Sequence, residues 1–232
     1  MESIKPLLMS LLTIGAVTIA GWTGTLAYFS DTETSSGNYF EAGYLNLTVG
    51  WTEYRNGEFE ETVELGDNPG PIFELVDVKP GDFGNATIKL HVDGNDAYVW
   101  MIFSLKENEE NNLTEQERAL NDNEDDTSWD GELAQNITVV IWYDVDGDGI
   151  QDPDEKGVDY TIFEGTLKDL DNSTFLLNGS NKTTELEPFK DCTVYNIGFN
   201  WTISPDVGNI IQSDTCKFDI KFYAVQARHY TP

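Results

Sequence analysis

The sequence is poor in basic residues. Its 232 residues include 13 lysines and arginines against 42 aspartates and glutamates, which gives a formal net charge of −29. A polyanion of this density repels phosphate backbones and anionic lipids and attracts cations, so no nucleic-acid partner is expected. Because 39% of the residues are apolar and 12% are aromatic, the chain can still fill one core of ordinary size.

Histidine and cysteine are also scarce, and this restricts the possible catalytic chemistry. The two histidines, His91 and His229, form no His-Glu-x-x-His pair that could hold zinc, and no nucleophile-elbow motif supports a serine triad. The two cysteines, Cys192 and Cys216, show neither thioredoxin-like nor zinc-type spacing. We therefore expect that the protein is not an enzyme.

The first 27 residues have the pattern of a secretory signal peptide. An apolar run over 7–22 leads to a small-x-small site that ends at Ala27, and a polar stretch begins with Tyr28. We expect cleavage between Ala27 and Tyr28, which gives an extracellular protein without membrane contact; the alternative is a retained membrane helix. In an exported chain, Cys192 and Cys216 are typical of one disulfide, and two unpaired thiols are the alternative.

Asn-x-Ser/Thr sequons are unusually frequent. Chance would give about two or three in a chain of this composition, so their number favours a glycosylated surface protein. The predicted acceptors are Asn46, Asn85, Asn112, Asn136, Asn172, Asn178, Asn181 and Asn200.

Apolar and polar residues alternate with period two in 85–92, 193–203 and 215–225, and an apolar run covers 137–143. Turn-forming residues separate these segments. Short strands at such spacing predict an all-β antiparallel sandwich or jelly roll. An acidic insertion near 107–132 holds a short predicted helix, because Thr114 and Glu117 have the spacing of a capping box; we expect this insertion at the surface.

The sharpest chemical pattern is a twelve-residue stretch that begins at Asp144. Carboxylates occupy positions 1, 3, 5, 9 and 12, with glycine at position 6, as in a calcium loop whose alternate side chains converge on one ion. The predicted Ca²⁺ ligands are Asp144, Asp146, Asp148, the Ile150 carbonyl, Asp152 and Glu155. A strand precedes the stretch, so the loop would join strands instead of helices. The alternative is a solvated acidic turn.

Two resemblances follow from these motifs. Residues 142–157 are similar to the loop of SdrD B-type repeats in bacterial surface proteins, where a strand ending in Trp-x-Asp runs into an Asp/Asn-Gly-x-Gln-Asp-x-x-Glu-x-Gly segment. The stretch 24–34, with its Gly-Thr-x-Ala-x-Phe-x-Asp start, and the following Phe-x-Ala-Gly-x-Leu-x-Leu strand in 40–47 resemble the TasA/camelysin family. Residues 78–82, 141–167 and 209–229 are similar to its archaeal members.

The second resemblance implies a secreted jelly-roll subunit that a SipW-type signal peptidase releases. Copies of such a subunit assemble into extracellular fibres by donor-strand complementation, in which the amino-terminal segment of one subunit completes the sheet of the next. Here segment 28–40 would be the donor, with Tyr28, Phe29, Tyr39 and Phe40 as anchors, and 41–232 the folded domain. The alternatives are a loose tail left by cleavage and a monomeric calcium-binding module that recognises glycans or the cell-surface layer.

Overall fold

The structure is a computed structural model that describes residues 44–67, 69–111, 114–119, 129–228, 230 and 232. These residues belong to one compact unit, Gly43–Pro232. The predicted signal peptide, its cleavage site at Ala27 and Tyr28, segment 28–40 and the sequon at Asn112 lie outside the described residues. Within the described part of the chain, no helix is both long and apolar enough to cross a membrane.

The described residues form nine strands and two short helices. In chain order they are β1 (Asn46–Arg55), β2 (Glu58–Gly66), β3 (Phe83–Asp93), β4 (Ala97–Glu109), α1 (Glu115–Ala119), α2 (Leu133–Asn136), β5 (Ile137–Tyr143), β6 (Thr161–Thr166), β7 (Thr174–Leu177), β8 (Thr193–Ile203) and β9 (Thr215–Gln226). Single 3₁₀ turns lie at Lys168–Leu170 and Pro205–Val207. The strands predicted from alternation correspond to β3, β8 and β9, and the strand predicted from the apolar run corresponds to β5.

The strands form two antiparallel sheets. The larger sheet has the order β2-β1-β3-β8-β5-β6, and the smaller has the order β7-β4-β9. The prediction of an all-β antiparallel sandwich is therefore confirmed. Strands β8 and β9 lie in different sheets, so the connection over 204–214 crosses from one sheet to the other.

The core lies between the inward faces of the two sheets. Alternation places Ile88 and Leu90 of β3 on the same face, and both are fully buried. From the other sheet, Met101 and Phe103 of β4 are equally buried, and the Phe103 ring lies 6.3 Å from that of Phe199. Each such side chain stabilises the fold by about 1.5–3 kcal/mol through burial alone. The core thus fixes which face of each strand points outward.

The predicted disulfide between Cys192 and Cys216 is wrong, because both thiols are free in the structure. The Cys192 backbone donates to the Val92 carbonyl, close to where β4 begins at Ala97. Cys216 lies opposite Asn108, near the other end of β4. Eleven residue steps along that strand correspond to about 36 Å, whereas the Cα atoms of a disulfide lie within about 7 Å of each other.

The acidic insertion is less exposed than expected. Strand β4 continues to Glu109, paired with Thr215, so the excursion begins at Glu110. The capping box is confirmed: the Thr114 backbone N donates to Glu117 Oε2 at 2.6 Å, and the Glu117 backbone N donates to Thr114 Oγ1 at 3.3 Å. Yet Glu110 and Glu117 are buried, which corrects the expectation of a purely surface excursion.

Candidate metal-binding loop

The loop over 144–155 folds back onto the outer face of the larger sheet. Trp142 of β5 points to that face, but it is only 1% exposed because the loop covers it. Its ring lies across Gly198 of β8, which pairs with Trp142 in the sheet. A Cβ atom at Gly198 would lie 2.1 Å from Trp142 Cε2. Only glycine therefore leaves room for the indole beneath the loop.

The tight curl of the loop depends on two further glycines. Gly147 and Gly149 have φ angles of +77° and +75°, in the left-handed region that favours glycine. A Cβ atom at Gly149 would also lie 2.8 Å from Thr87 Oγ1 of β3. The absence of a side chain at Gly149 therefore lets the backbone of the loop lie directly against β3.

The carboxylates of the loop converge as the spacing predicts. Asp144, Asp146 and Glu155 each offer one oxygen, and these atoms lie within 4.8 Å of one another. Asp146, Asp148 and Asp152 form a second such group, which shares Asp146 with the first. Among the residues that the structure describes, none forms a salt bridge with these five acids. Converging carboxylates without a basic partner suit a hard cation that prefers oxygen ligands.

Asp144, the first residue of the loop, is held by three donors. Thr87 Oγ1 donates to its Oδ2 at 2.9 Å, and so does the Gly149 backbone N at 3.0 Å. The Gly147 backbone N donates to Oδ1, also at 3.0 Å. Asp144 is 1% exposed, and this burial raises the pKa of its carboxyl above the ordinary value, against the opposing effect of the Thr87 hydroxyl. The carboxylate is therefore fixed in position at some electrostatic cost.

Glu155, the last residue of the loop, is fixed in a similar way. Trp142 Nε1 donates to its Oε2 at 3.1 Å, and the Val145 backbone N donates to its Oε1 at 2.6 Å. Burial raises the pKa of Glu155, and the charge of Asp144 raises it further. A bound cation would offset both effects, because it stabilises the ionised carboxylates.

The sequence predicts the carboxylates that converge in the loop but not the residues that position them. Thr87 and Asn85 belong to β3, and Asn85 Nδ2 donates to the Gly149 carbonyl at 2.8 Å. In the sequence, Trp142 stands out only as part of a motif. The sole signal for the β3 residues is that polar side chains lie on the outward face of the strand, and this does not indicate what they contact.

The structure separates the eight sequons by accessibility. Asn178 is 2% exposed and its Nδ2 donates to the Thr184 carbonyl, so glycosylation there is incompatible with this fold. A glycan on Asn85 would displace the loop, because the Asn85 amide binds Gly149. The structure therefore argues against a glycan at these two positions in the folded protein, and glycosylation of the other acceptors stays a prediction. Of the remaining described acceptors, Asn46 and Asn172 are exposed, whereas Asn136, Asn181 and Asn200 are half-buried.

Comparison with models of known protein families finds no matching family, and comparison with curated proteins finds no significant match. The resemblance to the TasA/camelysin family stays a prediction.

Proposed function

We propose that the protein is a secreted, non-enzymatic structural subunit of extracellular filaments or matrix, of the kind that the TasA/camelysin resemblance implies. A SipW-type signal peptidase would release it, and copies of it would then assemble by donor-strand complementation. The observation that supports this most strongly is the unpaired edge of β9. Among the described residues, β9 pairs with β4 on one side and with no strand on the other.

The inward face of β9 is only partly covered. Phe218, Ile220 and Phe222 pack against the core but stay half-buried along the strand. On the neighbouring β4, by contrast, the inward residues Met101 and Phe103 are at most 1% exposed. An additional strand beside β9 would bury this apolar face and satisfy the backbone groups of its edge.

A groove of about 800 Å³ runs beside this edge. One wall comes from Leu47, Val49 and Trp51 of β1, and the other comes from the inward residues of β9. The stretch from Pro69 to Phe73 closes part of it. The groove therefore lies between the two sheets, where a tenth strand would continue the smaller sheet.

Segment 28–40 matches the edge in length and charge. Its thirteen residues span about 43 Å when extended, and the twelve residues of β9 span about 40 Å. The outward face of β9 carries Lys217, Asp219 and Lys221. Lys217 pairs with Glu107 and Asp219 with Lys106, and among the described residues Lys221 forms no salt bridge, so Lys221 suits Asp31 or Glu33 of the segment. Because a head-to-tail transfer of this kind is heterologous, it produces an open filament instead of a closed ring.

The β2 edge of the larger sheet is protected against pairing by charge. Strand β2 is exposed along most of its length and carries Glu58, Glu60, Glu61 and Glu64. Charged residues on an edge strand discourage addition of further strands. Among the described strands, the other two edges, β6 with 6 residues and β7 with 4, are much shorter than the 12 residues of β9, so β9 offers the longest edge without such protection.

Calcium, in this proposal, stabilises the subunit through the loop over 144–155. The loop covers Trp142 and joins β5 to β3 across β8, so a bound ion would brace three strands of the larger sheet. An ion that binds only the folded state stabilises it in proportion to its concentration and affinity. The melting temperature of the wild-type protein should therefore fall when EDTA removes calcium, and Asp146→Ala should abolish this dependence.

The assembly claim can be tested with the mature protein, residues 28–232, and with a truncated form that begins at residue 41. Negative-stain electron microscopy should show filaments for the first and monomers for the second. A synthetic peptide of residues 28–40 should bind the truncated form, as measured by fluorescence anisotropy. Monomers in both samples, together with no peptide binding, would contradict donor-strand assembly.

Two matched variants locate the acceptor site. Ile220→Asp introduces a charge into the groove and should abolish peptide binding, whereas Lys221→Asp, on the outward face of the same strand, should weaken it only slightly. Circular dichroism should show that both variants are folded. Equal binding by the two variants would place the peptide elsewhere.

An aromatic patch supports the second candidate, a monomeric module that recognises glycans. On the outer face of the smaller sheet, Trp100 lies 5.8 Å from the rings of both Tyr223 and Tyr230, and Tyr98 lies 6.0 Å from Tyr230. Half-exposed aromatic rings of this kind present an apolar face with polar atoms at the edge. Glycan-array binding that Trp100→Ala abolishes, by a protein that stays monomeric, would favour this candidate.

A further inference from the structure

A second group of acids lies at the end of the sandwich, away from the loop over 144–155. Glu110 directly follows β4, Glu117 belongs to α1, and Asp214 directly precedes β9. One oxygen from each of the three lies within 4.8 Å of the other two. We call Glu110, Glu117 and Asp214 the carboxylate cluster. It joins the acidic insertion to the start of β9.

The cluster differs from a solvated acidic surface in its burial. Glu117 is fully buried and Glu110 is 1% exposed. Buried carboxylates are costly unless they are paired or bind a cation. In the part of the chain that the structure describes, no salt bridge involves Glu117 or Asp214.

In both Glu117 and Asp214, backbone N–H groups donate to only one of the two carboxylate oxygens. Glu117 Oε2 accepts from the Thr114 backbone N, and Asp214 Oδ2 accepts from the backbone N atoms of Glu132 and Leu133. Glu117 Oε1 and Asp214 Oδ1 are buried and accept no hydrogen bond from the described residues. Glu117 thus combines full burial, one oxygen without a hydrogen-bond partner among the described residues, and a carboxylate next to two further acids, which is the arrangement that a cation would complete.

Electrostatics agree with this geometry. Burial, more than any other cause, raises the pKa of Asp214 to about 8, and the charges of Glu110 and Glu132 and a side-chain hydrogen bond with Glu110 add to the effect. Clustered acids of this kind are stabilised either by shared protons or by a shared cation. Glu110 and Asp214 adjoin the ends of the paired strands β4 and β9, so their backbone positions are set by the sheet.

We propose that Glu110, Glu117 and Asp214 bind a second hard divalent cation, of the calcium or magnesium class, which ties the acidic insertion to the residue that precedes β9. Oxygen-only ligands select such ions over softer metals. Calcium is favoured over magnesium because carboxylates from three separate elements suit its flexible coordination, with waters completing the shell. This inference does not rest on filament assembly or on the loop site.

Counting bound ions tests the proposal. The mature protein, freed of metal and then dialysed against calcium, should retain two ions per chain by mass spectrometry of the metal content. Glu117→Gln should retain one ion, Asp146→Asn should retain the other, and the double variant should retain none. Glu115→Gln, an exposed position on the same helix, is the matched control and should retain two. Repeating the titration with magnesium distinguishes the two ions.

The amide oxygen that Glu117→Gln introduces can still accept from the Thr114 backbone, so this variant is expected to fold; Asp214→Asn provides a second variant with the same expected loss of one ion. Calorimetry should show an unchanged affinity of the remaining site in each single variant. The proposal is overturned if Glu117→Gln and Asp214→Asn both retain as many ions as the wild type, because the cluster would then hold no ion. Loss of ions in Asp146→Asn alone would support the loop site and refute this one.

Discussion

The hydrogen bond between Thr87 and Asp144 provides a sensitive test of the calcium loop, because it joins residues that are 57 positions apart. Thr87→Val removes the hydroxyl and keeps a side chain of similar shape. Thr87 is 4% exposed and Asp144 is 1% exposed, so water cannot easily replace the lost donor. The carboxylate would keep its bonds from the Gly147 and Gly149 backbone but lose the contact that orients it against the sheet.

The expected magnitude follows from the nature of the bond. A hydrogen bond to a charged group contributes about 1.5–3 kcal/mol. Removal of a residue that orients a metal ligand typically weakens metal binding about 10–100-fold, which corresponds to about 1.4–2.7 kcal/mol. We therefore expect the calcium Kd to rise by one to two orders of magnitude.

Isothermal titration calorimetry on chelator-treated mature protein measures this change. Thr52→Val is the matched control, since its hydroxyl meets only Thr62 at an exposed position of β1 and β2. The control should bind calcium as the wild type does. An identical Kd for Thr87→Val and wild type would refute the reasoning that β3 positions the loop.

Three further predictions address the fold around the site. Gly198→Ala should destabilise the protein by about 1–3 kcal/mol in denaturant titrations through overpacking against Trp142, and unchanged stability would contradict the close approach of the indole. Burial raises the pKa of Glu53 to about 7 from 4.5, so the folded state holds the extra proton between these values and the free energy of unfolding should fall as pH rises from about 4.5 to 7. Glu53→Gln should reduce this slope, to which the raised pKa of Asp214 also contributes, and an unchanged slope would contradict the role of Glu53. Cys192 and Cys216 should both react with a thiol reagent after denaturation of air-exposed protein, whereas a single intramolecular disulfide would contradict their separation.

Much of the sandwich could be predicted because each strand carries local information. In β3, alternation alone separates the buried Ile88 and Leu90 from the outward Thr87 and Lys89. The convergence of the loop carboxylates could be predicted for the same reason, since Asp144 and Glu155 are separated by only one curled segment. Local spacing thus identifies what converges within a strand or a loop.

The residues that depend on strand order could not be predicted. Gly198 of β8 pairs with Thr87 on one side and with Trp142 on the other. Thr87 therefore meets Asp144 only because the strand order is β3-β8-β5 and the residue between them is a glycine. The separation of Cys192 from Cys216 likewise follows from the transfer of the chain between sheets after β8. Sequence spacing contains neither the order of strands nor their register.

In the acidic insertion, too, the sequence does not reveal which side chains are buried. Its composition indicates a solvated surface, and the capping position of Glu117 follows correctly from its spacing to Thr114. That position also buries the Glu117 carboxylate next to Glu110 and Asp214, which lie at the ends of two strands that are adjacent only in the folded sheet. Composition therefore underestimates how many carboxylates are buried there.

Cross-linking between subunits tests whether the amino-terminal segment of one copy pairs with β9 of the next. In a Cys192→Ser, Cys216→Ala background, Thr34→Cys would be combined in turn with Lys217→Cys, Asp219→Cys and Lys221→Cys, and Thr62→Cys on β2 would serve as the control edge. Paired strands bring opposing Cβ atoms to about 4.5–5.5 Å, so at least one β9 position should form a disulfide in oxidised filaments. We expect a ladder of covalent oligomers on denaturing gels when the second cysteine lies on β9 and no ladder when it lies on β2. Monomers only, or equal ladders from both edges, would contradict assembly by strand addition at β9.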